Sequence, residues 1–229
     1  MNRVEKSEAV IKELYQENEI ALKNTDKDFY DIKTRLIYGE VYQDINLSPK
    51  MRELILLVVA TTNMAIKEAL YHSGAYIGLS KAQNAIEGAN EVFKELGIKS
   101  IVSQKTVTEE SRLQDGINAQ KAIFGGSIDT MRANAPENQK NIQDYLTAYC
   151  FGDFYTRNSL NLQERELLTF CILAAQGGCE AQVQAHVQGN LNMGNDKQVM
   201  LDALTLCIPY IGFPRTLNAL AVLNKVISE

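Results

Sequence analysis

The 229 residues carry a formal net charge of -5 with a sequence pI near 5.2, and 45% of them are hydrophobic. The charge is spread along the chain, with no Lys/Arg cluster to follow a phosphate backbone, so nucleic acid is excluded as an expected partner. The length suits one large domain or two of roughly 100 residues, either able to bury a core. The N-terminal MNRVEKSEAV lacks an apolar signal core and no apolar run approaches the ~18 residues that span a bilayer, which predicts a cytoplasmic protein with no membrane partner. Cys150, Cys171, Cys179 and Cys207 all fall in the second half, inside helical patterns and without any Cys-x-x-Cys pair. Neither a disulfide framework nor a thiolate zinc site is expected from such a set.

Apolar residues recur at spacings of three and four almost throughout, which predicts an all-α fold. Self-similarity adds a tandem organisation. At an offset of 113, YGEVY (38–42) lies on FGDFY (151–155), Leu47 on Leu160, and Arg52-Glu53-Leu54 on Arg165-Glu166-Leu167. At an offset of 134, YIGLSKAQNAI (76–86) lies on YIGFPRTLNAL (210–220). The jump between offsets means that 21 residues, about one helix with its turns, are missing from the first copy.

In chain order, residues 1–97 read as a degenerate first repeat. Within it, 49–73 form either one long helix or two helices joined at Thr61-Thr62-Asn63. The polar, Ser/Thr-rich 98–110 is the linker, and 111–229 form the complete second repeat, its lead-in turning at ANAPENQ (133–139). A helix over 161–176 has Asn161 as N-cap and Glu164 closing a capping box, and Gly177-Gly178 stops it. Further helices are predicted from Cys179 to Met193, from Asp196 to Cys207, and from Pro214 onward.

Candidate chemistry gathers on the second repeat. Cys179 and His186, seven apart on one predicted helix, share a face with Gln182 between them. Cys179 falls in the first helical turn, where the dipole favours a thiolate. Glu166 sits near the start of the preceding antiparallel helix. A Cys and a His on a helix face are also ordinary packing residues, and Arg165-Glu166 near a helix start an ordinary cap and ion pair. His72 stands 19 residues after Glu53 but falls on Leu206 in the repeat alignment, so it is not the counterpart of His186. With only these two histidines, in non-equivalent places, no metal site is predicted.

ERELLTFCILAAQGGCEAQVQAH (164–186), the Gly194-Asn195 pair and YIGFPRTLNAL (210–220) strongly resemble the carboxymuconolactone decarboxylase family. A weaker match covers the first copy, so the chain resembles a two-domain member with a truncated first domain. The resemblance implies a small all-α unit assembling into homo-oligomers, such as a trimer of two-repeat chains. It implies either decarboxylation of a small carboxylated lactone or organic acid, without metal or organic cofactor, or the thiol-dependent peroxide reduction of the related alkylhydroperoxidase D branch. Carried over, Glu166, Cys179 and His186 are the catalytic residues, while Gln182 occupies the place of the second cysteine of the peroxidase motif and removes its resolving thiol. In the decarboxylase reading His186 is the acid/base, Glu166 orients it, and Arg165 or Arg215 holds a substrate carboxylate. A decarboxylase-like enzyme is the leading expectation; a one-cysteine antioxidant using Cys179 and a non-catalytic oligomeric scaffold are the alternatives.

Overall fold

The computed structural model describes residues 1–15, 26–43, 45–48, 51–52, 63–98 and 104–227. The fold is all-α, with no strand among these residues. Residues 49–50 and 53–62 of the 49–73 segment, Glu53 among them, lie outside them, as do 99–103 of the expected linker, so the choice between one helix and two falls there as well.

Helix α1 (Arg3–Tyr15) packs on α2 (Lys27–Leu36), which continues as a π-helical turn over Ile37–Val41. Then come α3 (Asn63–Ile77), α4 (Leu79–Glu95), α5 (Arg112–Phe124), α6 (Ser127–Ala133) and α7 (Lys140–Tyr145), the last continuing as a π-helix over Leu146–Tyr155. The C-terminal part holds α8 (Leu162–Gln176), α9 (Glu180–Asn192) and α10 (Lys197–Val226). These C-terminal helices form where Asn161, the double glycine and Asp196 place them. The Asn161 side chain accepts from Glu164 N at 2.9 Å while the Glu164 carboxylate accepts from Asn161 N at 3.0 Å. Such a cap contributes about 1 kcal/mol. Gly177 ends α8 with φ 69°, and the Asp196 side chain opens α10 by accepting from Val199 N at 2.9 Å.

The two expected C-terminal helices abut within α10, where the chain breaks at Gly212, two residues before Pro214, with φ 74° and ψ 166°. Its composition and length would suffice for a membrane span, a feature that the search for an unbroken apolar run missed. Its Met200, Ala203, Leu204, Leu206 and Leu223, however, are buried in the protein core. The π-helices were also not foreseen, because a three-and-four apolar spacing does not separate i+4 from i+5 hydrogen bonding.

Local geometry recurs between the halves. Arg3 pairs with Glu40, and Arg112 with Asp153. A Cβ on Gly39 would collide with the Arg3 carbonyl, and one on Gly152 with the Arg112 carbonyl, both at 2.2 Å. Arg52 Nε donates to Leu47 O at 2.8 Å, and Arg165 Nε to Leu160 O at 3.2 Å. Gly78 separates α3 from α4 with φ 86° and ψ 152°, close to the values at Gly212. One continuous core takes Val41, Ile45, Ala65 and Ala69 from the first half together with Leu167, Phe170, Met200 and Leu204 from the second.

Candidate active site

Helices α8 and α9 run side by side, and Asn190 fixes their register. Its Nδ2 donates to Glu166 O at 2.9 Å and to His186 O at 2.7 Å. Asn195 Nδ2 donates to Asn190 Oδ1 at 2.8 Å and holds that amide in place. The register brings Glu166 Oε2 to 2.8 Å from His186 Nδ1. Because a carboxylate only accepts, Nδ1 carries the proton in this bond, and Nε2 is the ring nitrogen left open. Among the described residues Nε2 has no partner. The Glu166 side chain is fully buried and that of His186 is 11% exposed, with Phe124 and Tyr76 standing edge-on to the imidazole at centroid distances of 5.4 and 6.3 Å. Gly189, one turn beyond His186, leaves the space that the carboxylate fills.

Behind Glu166 lies a buried cluster of hydroxyls. Tyr155 donates to Glu166 Oε1 at 2.8 Å. The Tyr155 hydroxyl lies 2.9 Å from those of Tyr76 and Thr169, and Thr169 donates to Tyr76 at 3.1 Å. His72 Nε2 meets Thr169 Oγ1 at 2.8 Å, and Arg165 Nη1 reaches His72 Nδ1 at 3.4 Å. Burial, with help from the nearby Arg165 and His186 charges, holds the His72 pKa well below the usual histidine range, so its imidazole is neutral. Burial pushes the Tyr76 and Tyr155 phenols well above their ordinary range and the Cys150 thiol to about 12. All of these groups therefore stay protonated donors at neutral pH.

The residues expected from the sequence do not all converge. Glu166 and His186 meet. Cys179 does not share their face: it is the N-cap of α9, with φ -133° and ψ 43°, outside the helix whose periodicity was extended to it. Its Sγ donates to Leu173 O at 3.2 Å, and partial burial, then the Glu180 charge, raises its pKa. Gln182 is exposed. Arg165, expected to hold a substrate carboxylate, is fully buried, and its Nη2 donates to Glu68 Oε1 at 3.0 Å and to Arg157 O at 2.9 Å. Those donors serve the fold. Arg215 lines a cavity of about 500 Å³ with Ser73, Lys81, Cys171, Cys207 and Tyr210, to which α9 contributes no residue.

The sequence reading missed Tyr155, Thr169, Tyr76 and His72. Tyr155 was visible only as the last letter of FGDFY, and His72 was set aside because its repeat position differs from that of His186. Position along the repeat does not decide which residues meet across the interface between halves.

Alkylation of Cys179, isolated by subtracting the Cys179→Ser protein, is expected to follow a thiol that ionises above the free-cysteine value of about 8.5. A midpoint near neutrality would reinstate thiolate chemistry.

Residues 140–225 match the family model for the carboxymuconolactone decarboxylase family. The matched stretch contains Tyr155, Glu166, Thr169 and His186 and leaves out Glu68, His72, Tyr76 and Phe124. The chain is 21% identical to the 4-carboxymuconolactone decarboxylase of Acinetobacter baylyi over 124 residues, 54% of this chain and 92% of that protein. It is 24% identical to the nitrosuccinic acid decarboxylase of Metarhizium robertsii over 116 residues, 50% of this chain and 80% of that protein.

Proposed function

We propose that this chain is a decarboxylase-like enzyme acting on a small carboxylated lactone or organic acid, with His186 as its acid/base. The observation that carries the reading is the His186 imidazole itself, anchored at Nδ1 by a buried carboxylate at 2.8 Å and open at Nε2. In the reaction the bond between the substrate carbon and its carboxylate breaks. CO2 leaves, the electron pair delocalises into an adjacent carbonyl or nitro group, and His186 delivers a proton from Nε2 to the carbon. Nε2 carries no proton in the resting pair, so it first takes one from solvent, and Glu166 stabilises the imidazolium that results. The aromatic walls of Phe124 and Tyr76 favour a transition state whose charge is spreading out over the carboxylate ground state, where it is concentrated. Two similar proteins that are themselves decarboxylases support the reaction class.

The tandem organisation belongs to the same proposal: 1–97 a degenerate repeat, 98–110 a linker and 111–229 a complete repeat carrying the site. The paired Arg3–Glu40 and Arg112–Asp153 contacts and the matched breaks at Gly78 and Gly212 support it. Leu79, Tyr210, Phe213 and Leu217, each at least half exposed, offer apolar surface for a homo-oligomer of such chains.

The test is CO2 release from 4-carboxymuconolactone and from nitrosuccinate. Release from at least one is expected, with the His186→Gln protein slower by roughly 10²–10⁴-fold. No release from either, or release that survives the substitution, would sink the proposal.

A further inference from the structure

We infer that His72, from the first half of the chain, is a positioning residue for His186: the two imidazoles are the ends of one hydrogen-bonded chain that selects which nitrogen of His186 is open to substrate. The inference rests on the acid/base reading of His186 and lies outside the stretch that matches the decarboxylase family.

The Arg165 guanidinium has donors only, so the His72 Nδ1 that faces its Nη1 at 3.4 Å accepts, while the Arg165 backbone carbonyl also bonds to the ring. His72 is neutral, so its one ring proton is then on Nε2 and is given to Thr169 Oγ1 at 2.8 Å. Thr169 turns its proton into the fork between Tyr76 at 3.1 Å and Tyr155 at 2.9 Å, Tyr76 gives its own to Tyr155 at 2.9 Å, and Tyr155 gives its proton to Glu166 Oε1 at 2.8 Å. Three hydroxyls have three protons. One must leave the cluster for Glu166, and the proton that His72 brings in leaves Thr169 free to point its own at Tyr76. A guanidinium at one end and a carboxylate at the other thus give every bond the same sense. At the far end Glu166 Oε1 is occupied by Tyr155, and Oε2 takes the Nδ1 proton of His186 at 2.8 Å.

The sense is no longer fixed without the His72 donor. Thr169 then has no N–H to accept, the hydroxyl protons circulate among several arrangements, and the Tyr155 proton is held on Glu166 in only some of them. A Glu166 relieved of that bond turns, and the tautomer of His186 is no longer imposed. His72 makes no hydrogen bond to His186, so its hold on the His186 tautomer passes through the four intervening side chains. The repeat-equivalent residue in the second half is Leu206, which supplies no such donor, so the chain runs in one direction and serves one site.

The experiment uses the whole chain, whose two histidines give a simple ¹⁵N spectrum of the rings. In the unsubstituted protein both rings are expected as single neutral tautomers above pH 8, His72 protonated at Nε2 and His186 at Nδ1. His72→Leu is expected to turn His186 into a mixture of tautomers, and His72→Gln, whose amide can donate to Thr169, to restore the single form. Thr169→Val, equal in shape but without the hydroxyl, should reproduce the leucine variant and carries the test if that variant fails to fold. CO2 release should fall about 10-fold in kcat with KM unchanged for His72→Leu and Thr169→Val, and stay within about two-fold for His72→Gln. A His186 tautomer unchanged in His72→Leu or in Thr169→Val overturns the inference, as does failure of glutamine to rescue. The ring spectra need no substrate, so absence of decarboxylation with the tautomer effect present would overturn the functional reading alone.

Discussion

Replacing Gly189 with alanine is expected to separate Glu166 from His186 and cut CO2 release by roughly 10²-fold or more, the loss that accompanies a misplaced acid/base. A Cβ at this position would stand 2.3 Å from Glu166 Oε2 and 3.0 Å from Phe124 Cε1. The carboxylate has no room to retreat, since Tyr155 holds its other oxygen and the side chain is fully buried. Either Glu166 leaves the imidazole or α9 lifts from α8 and strains the Asn190 bonds that set their register. Overpacking of this kind costs about 1–3 kcal/mol. The sign is diagnostic, because in an unconstrained helix interior the same change gains roughly 0.5–1 kcal/mol. Thermal melting together with the CO2 assay decides it: a more stable protein of undiminished activity would mean that this glycine serves no such purpose.

The largest stability effect is expected at Glu68. Its carboxylate receives Arg165 Nη2 at 3.0 Å and Arg157 Nε at 3.1 Å, and neither the Glu68 nor the Arg165 side chain is exposed. Burial already pulls the Arg165 pKa down, and the Glu68 charge is what opposes it. Glu68→Gln strands a guanidinium in the interior, which costs roughly 3–5 kcal/mol, or roughly 6–20 °C of melting temperature for a chain of this size. Glu68→Met combined with Arg165→Met removes both charges and should recover a large part of that loss in urea unfolding. A single variant within 1 kcal/mol of the parent would show the pair to be well hydrated.

Much of this architecture was legible in the residues themselves. Asn161, Glu164, the Gly177-Gly178 pair, Gly194 and Asp196 act locally, each satisfying or ending a particular backbone segment, so they could be read without knowing what packs on what. The Glu166–His186 pair needed one further assumption, the antiparallel packing of two helices joined by a short turn. Cys179 was misplaced because a helical wheel was extended one residue past the first helical residue, and at an N-cap the backbone already points elsewhere. His72 and Tyr76 were invisible for a different reason. They reach the site across the boundary between halves, over separations of 97 and 79 residues to Thr169 and Tyr155, and no periodicity within either half encodes such a meeting. Arg165 was read as a substrate ligand because its carboxylate partner, Glu68, is equally remote in the chain.

The Glu68–Arg165 bond also bears on how the protein is made. Glu68 leaves the ribosome 97 residues ahead of the arginine it needs. At the usual rate of about 5–20 residues per second the delay is roughly 5–20 s. Throughout that interval the nascent first half lacks the α8 surface on which α3 packs. The early segment therefore keeps Ala65 and Ala69 uncovered until α8 emerges to pack on them. Maturation of the two halves becomes a single event, and the half-made chain is the stage at which a chaperone has the most to protect.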